Sequence, residues 1–154
     1  MKILCVIPVF NEEANLQGTI DSIRKNSFGV DKFLFINSGS TDSSHDILNN
    51  SEFETINLSK NKGVGFVLIT AIDYCISNGY QVLTGIHGGN KMDTKDFKSV
   101  LSPIIYENFD FIWGSRFINN SSINMPVFRR ASTPILSKLV SIFYNKSIFR
   151  IGIS

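Results

Sequence analysis

"MKILCVIPVFNEE", Met1 to Glu13, decides how the rest of the chain is read. Its lysine and short apolar run mimic a secretion signal, but Asn11-Glu12-Glu13 follows at once with no small-residue cleavage site. The stretch therefore reads as a first strand, Ile3 to Val9, turning at its end into a helix. Four more apolar, β-branched or aromatic runs follow, at Lys32–Ile36, Phe53–Ile56, Gln81–Ile86 and Phe109–Trp113. Stretches of helical length lie between them. This βαβ alternation predicts an α/β fold with a mostly parallel central sheet and helices on both faces.

The helices are bounded by their own signals. The first begins near Glu12, carries Leu16, Ile20 and Ile23 on one stripe, and stops by Asn26-Ser27 and Gly29. The second follows Thr41-Asp42 as an N-cap pair and ends near Asn49-Asn50. The third runs from Asn61-Lys62-Gly63 to Asn78-Gly79. Its Val64, Phe66, Val67, Leu68, Ile69, Ala71 and Ile72 cover more than half its circumference, which predicts deep burial. The fourth is capped by Thr94 and continues through Phe97, Val100, Leu101, Ile104 and Ile105.

Composition narrows the function classes. The chain has 154 residues, 43% of them apolar, with 13 Phe and one Trp, which suits one globular domain. No stretch nears the roughly 20 uninterrupted apolar residues of a membrane helix. A net charge of +2 is too small to argue for nucleic acid, although Arg129, Arg130, Lys138, Lys146 and Arg150 gather in the last quarter. Cys5 and Cys75, far apart among apolar neighbours, read as reduced core residues of a cytoplasmic protein. The Asn57-Leu58-Ser59 sequon reads as an ordinary surface loop.

Polar residues collect after the strands, at Pro8–Glu13, Asn37–Asp42, Ser59–Gly63, His87–Asp93 and Gly114–Arg116, and so along the carboxyl edge where open α/β sheets bind ligands. Two decoys fall away there. His87, Asn90 and Asp93 have no nucleophile with an adjacent base, and Lys60, Lys62 and Gly63 lack the G-K-[ST] ending of a phosphate loop. A sugar nucleotidyltransferase would need a glycine-rich basic loop where Pro8-Val9-Phe10-Asn11 stands.

Taken together, "VIPVFNEEANL", "INSGSTD", "NKGVG", "HGGNKMD" and "GSRF" resemble, in order and spacing, the inverting family 2 glycosyltransferases of the GT-A fold, a Rossmann-like fold, and especially their polyprenyl-phosphate (dolichyl-phosphate) sugar synthase branch. The resemblance implies a core for nucleotide-sugar binding over 1–117. It leaves 118–154 as a polar loop and a basic, amphipathic helical segment of the same domain. It also implies a UDP- or GDP-linked sugar donor across the first two strand ends. Pro8, Phe10 and Glu12 match the P-x-[YF]-N-E motif: a rigid turn, an aromatic face for stacking and a carboxylate for sugar hydroxyls. Asn37 stands where relatives use an aspartate to read the base, and its amide both donates and accepts. Ser38, Gly65, His87, Gly88 and Gly89 complete the implied nucleotide site.

Relatives hold Mg²⁺ or Mn²⁺ with acidic D-x-D or H-G-D groups. Here His87, Gly89 and Lys91 occupy those positions. Three readings follow: Lys91 supplies the positive charge itself, Asp93 or His87 recruits a weaker metal site, or metal-assisted transfer is lost and the chain is a nucleotide-binding or interaction module. Arg116, Arg129 and Thr133 match the acceptor-phosphate cradle of the branch, so Lys91 and Arg116 become the candidate catalytic cations. Over 128–149, Ile135, Leu136, Leu139, Val140, Ile142 and Phe143 interleave with Lys138 and Lys146. Such a segment suits a polyprenyl phosphate, the inner face of an anionic membrane or a second copy in a homo-oligomer.

Overall fold

The computed structural model describes residues 1–89, 94–107 and 109–112. Strand and helix alternate as β1 (Ile3–Val9), α1 (Glu13–Lys25), β2 (Lys32–Asn37), α2 (Ser44–Asn49), β3 (Glu54–Asn57), α3 (Gly63–Ser77) and β4 (Val82–Gly85). A 3-10 turn at Thr94–Asp96 then leads into α4 (Phe97–Tyr106). The strands form one parallel sheet in the order β3-β2-β1-β4. β1 lies inside it, with Val9 opposite Asn37 of β2 on one side and Ile3 opposite Val82 of β4 on the other.

Because successive strand residues face opposite sides, β1 feeds two cores. Ile3, Cys5, Ile7 and Val9 pack with Leu16, Ile20 and Ile23 of α1, Leu48 of α2, and Phe97 and Leu101 of α4. Leu4 and Val6 join Leu34 and Ile36 of β2 beneath Val67, Ala71 and Cys75 of α3. The helices thus cover both faces, and the stripe predicted for α1 is the one that is buried. Cys5 and Cys75 are free and buried, one in each core, and burial pushes both thiols up in pKa.

Four expectations need correction. Deep burial of α3 is wrong: only Val67, Ala71 and Cys75 are buried, whereas Ile69 is 58% and Ile76 72% exposed. Among the described residues α3 is the one helix on its face of the sheet, so a single stripe of it finds a partner.

The run at 109–113 does not extend the sheet over its described part. The Phe109 N–H turns back to the Pro103 carbonyl at 3.4 Å at the end of α4, residues 109–112 are outside any strand, and Trp113 lies outside the described residues.

The N-cap position of α2 belongs to Ser43 rather than to Thr41-Asp42; Asp42, one residue earlier, divides its carboxylate between the Ser44 N–H of α2 and the Glu13 N–H of α1, each at 3.0 Å. Thr94 likewise does not cap α4. Its hydroxyl lies 2.9 Å from the Ser22 carbonyl and 2.8 Å from the Ser22 hydroxyl, pinning the turn to α1. Residues 118–154 lie outside the described residues.

Candidate functional site

The four strands among the described residues are all parallel, so Pro8–Glu13, Asn37–Asp42, Ser59–Gly63 and His87–Gly89 share one carboxyl edge. Within it, the turn entering α1 and the loop entering α2 are hydrogen-bonded to each other along their length. The backbone N–H groups of Asn11, Glu12 and Glu13 donate to Ser40 Oγ (3.1 Å), Ser44 Oγ (2.9 Å) and Asp42 Oδ2 (3.0 Å). In return Thr41 N–H donates to Asn11 Oδ1 (2.9 Å) and Ser43 N–H to Glu13 Oε2 (2.9 Å). Burial alone would raise the Asp42 carboxyl, but bonds from Ser44 and Glu13 outweigh it and hold the pKa below its ordinary value. Three successive amides entering α1 are therefore already satisfied by protein. Glu13 belongs to this framework, in keeping with a helix-terminal role for it.

Phe10, 44% exposed, stands on the rim beside this framework. Glu12 is half-buried and receives the Asn15 amide at 3.3 Å. Its carboxylate also meets the loop after β4: a Cβ at Gly89 would sit 2.9 Å from Glu12 Oε1, and one at Gly88 2.9 Å from the Pro8 carbonyl. The glycine pair is thus what allows this loop to lie directly on the end of β1. Thr19 Oγ1 fastens it from below, donating to the Gly88 carbonyl at 2.8 Å. The structure in this way brings together Pro8, Glu12, Gly88 and Gly89, with Phe10 and the exposed His87 on the same edge.

Asn37 and Ser38 sit deeper. Asn37 is only 3% exposed; its Oδ1 accepts from Ser40 N–H at 3.0 Å and its Nδ2 donates to Asn57 Oδ1 at 3.0 Å. The buried Ser38 hydroxyl donates to Asn61 Oδ1 at 3.4 Å. Gly39, at φ +69°, presses its Cα against the backbone of Lys60, where a Cβ would come within 2.6 Å. Gly65 lies in the first turn of α3 with open space where a Cβ would stand. Lys91, Asp93, Arg116, Arg129 and Thr133 lie outside the described residues.

Sequence reading missed Asn57, His45 and Asn49, which extend the Asn37 hydrogen bonds along the rim. The signal was present but faint: Asn37 and Asn57 each end a strand, and they become partners only once β2 and β3 are set in register.

Compared with known proteins, residues 4–151 match the family described as Glycosyl transferase family 2. The chain belongs to that family. This family 2 chain is 24% identical to the UDP-N-acetylglucosamine--dolichyl-phosphate N-acetylglucosaminyltransferase of Methanococcus voltae, over 88% of this chain and 60% of that protein. It is 25% identical to an uncharacterized protein of Methanocaldococcus jannaschii, over 84% of this chain and 53% of the other. It spans little more than half the length of these two relatives. Among solved structures it resembles the glucosyl-3-phosphoglycerate synthase of Mycobacterium tuberculosis in complex with Mn²⁺, UDP and glucosyl-3-phosphoglycerate. The TM-score is 0.56 and the identity 23%, over 68% of this chain and 40% of that one. The fold is accordingly GT-A.

Hard divalent cations take several oxygen ligands. At the positions that the motif reading matches to the family's metal ligands, the sequence has an imidazole (His87, exposed), a glycine (Gly89) and a lysine (Lys91). Among the described residues no three His, Cys, Asp or Glu side chains converge. That donor set does not fit the family's ion. Nor, among the described residues, is any helix long and apolar enough to cross a membrane.

Proposed function

We propose that the chain is the donor-binding core of a family 2 glycosyltransferase that passes a sugar from a nucleotide diphosphate to a lipid-phosphate or glycan acceptor, with inversion. The observation that carries this reading is the seating of Gly88 and Gly89 against Pro8 and Glu12, beside the exposed ring of Phe10. It gathers an aromatic face and a carboxylate at one strand edge, groups suited to the base and ribose of a nucleoside diphosphate.

In the reaction, an acceptor oxygen forms a bond to the anomeric carbon while the bond from that carbon to the diphosphate breaks, its electron pair leaving with the diphosphate. Cations at the leaving group stabilise that charge. Lys91 and Arg116 are the groups we assign to it, since the residues at the metal positions do not suit an ion. An acceptor that is already a phosphate anion has no proton to surrender, so no strong general base is needed. Arg129 and Thr133 are the residues we assign to holding that phosphate, and the basic, apolar sequence of 128–149 suits a lipid acceptor at a membrane surface.

Calorimetric titration with UDP and GDP, followed by transfer assays with their sugars in the presence of Mn²⁺ or a chelator, tests the reading. We expect binding, and turnover that survives the chelator and is lost in Lys91→Ala. Absence of binding would overturn the donor site; binding without turnover would overturn transfer.

A further inference from the structure

Four polar side chains form a continuous relay from the ends of β2 and β3 onto α2, and one backbone N–H fixes the direction of every bond in it. The Ser40 amide can only donate, so the Asn37 atom it meets at 3.0 Å is the carbonyl Oδ1. Asn37 must then turn Nδ2 toward Asn57, donating to Oδ1 at 3.0 Å. The same Asn57 Oδ1 lies 3.1 Å from His45 Nδ1, which therefore carries a proton. In the neutral ring His45 Nε2 is then the acceptor, and Asn49 Nδ2 donates to it at 2.9 Å. With Oδ1 accepting twice, Asn57 has its Nδ2 turned away from the relay. Asn57 is exposed, and among the described residues nothing accepts from that nitrogen.

We infer that Asn57 Nδ2 is a specificity-determining donor that selects nucleotides whose base carries a keto oxygen at its outer edge. The inference rests on the nucleotide reading above. We place the ribose at Glu12 and the base over Phe10, extending from the end of β1 across the strand order toward β2 and β3. Its outermost substituent is then the one farthest from the ribose: position 4 of a pyrimidine or position 6 of a purine. Uracil and guanine present an oxygen acceptor there, whereas cytosine and adenine present an amino donor. An amino group would meet Asn57 donor to donor. Asn37, itself buried, and His45 are positioning residues that hold the Asn57 amide in this sense. The neutral relay reverses in Asn37→Asp: the new carboxylate would accept from Ser40 and from Asn57 Nδ2, leaving Asn57 Oδ1 to face outward.

Titration calorimetry of the full chain with UDP, CDP, GDP and ADP tests this, with circular dichroism to verify folding of each variant. We expect UDP to bind about tenfold tighter than CDP, and GDP than ADP, the size of one hydrogen bond gained against one unmet. Asn57→Ala should bring each ratio to within about twofold of unity, the scatter left once that bond is absent from both complexes, with affinity for inorganic pyrophosphate unchanged. Asn37→Asp should reverse the order in each pair. A purely structural role for Asn57 would weaken all four ligands alike and leave the ratios intact, and that result would overturn the inference. Equal affinities in the wild type would overturn it while sparing the nucleotide site. A folded chain that binds none of the four would defeat both.

Discussion

Helices α1 and α3 lie on opposite faces of one sheet, and their compositions run opposite to their burial. α1 is largely polar, yet Leu16, Thr19, Ile20 and Ile23 are buried along one stripe. α3 is apolar nearly all the way round, yet it buries only Val67, Ala71 and Cys75. The difference lies in what surrounds each helix. α1 shares its face with α2 and α4, and its first turn is bonded to the α2 loop. α3 covers the other face by itself among the described residues, and Tyr74 ties one flank to Glu54 of β3 at 2.9 Å. Spacing and neighbours, rather than apolar content, decide how much of a helix is removed from water.

The comparison can be broken most directly in the core. Leu16→Ala should lower stability by about 2–5 kcal/mol in urea denaturation, because it leaves a cavity between α1 and the sheet. A loss below about 1 kcal/mol, the level of surface changes, would mean that α1 is not the packed helix described here. A smaller effect, about 1–2 kcal/mol, is expected for Asp42→Ala, which strips one acceptor each from the Glu13 and Ser44 amides. That variant should also raise amide exchange at the start of α1 while leaving α3 unchanged.

On α3, Ile72→Ser should stay within about 0.5 kcal/mol of wild type by the same denaturation, as fits an exposed position. A core-sized loss there would show that the flank is covered in solution. The smallest effect concerns the exposed pair at the end of α1, where Arg24 grips Glu52 with Nε at 2.8 Å and a second nitrogen at 2.6 Å. The Arg24 hydrogen bonds pull the Glu52 carboxyl from its ordinary 4.5 to about 2. A depressed folded-state pKa means that the pair's contribution is complete above the ordinary value and disappears as pH falls toward about 2. Arg24→Ala should move the Glu52 midpoint, followed by carboxyl NMR, back up toward 4.5 with little change in melting temperature.

Most of this architecture was legible in advance because it is written in periodicity. The places of four strands, within a residue at either end, and the stripe on α1 follow from spacing alone, as does the gathering of the described polar loops on one edge. What stayed hidden depends on pairing. That Asp42 would bond the start of α1 as well as its own helix, or that Asn37 would be buried and bonded to Asn57, is determined by contacts across 29 and 20 residues of sequence. α3 misled for a related reason, since an apolar surface in sequence carries no record of whether a partner lies over it. At the candidate site, Pro8, Phe10, Glu12 and the glycine pair were singled out by their motif, whereas Asn57 and His45 had no motif to announce them.

The position of β1 inside the sheet bears on how the chain acquires its fold. Its ladder to β4 joins Ile3 to Val82, so this interior strand is completed only after a long stretch of intervening chain has been drawn into a loop. Closing such loops before any contact compensates them is the slow step in domains rich in non-local pairing. Refolding from denaturant should therefore be paced by the arrival of Val82–Gly85 beside β1, with α1 and β2 already docked.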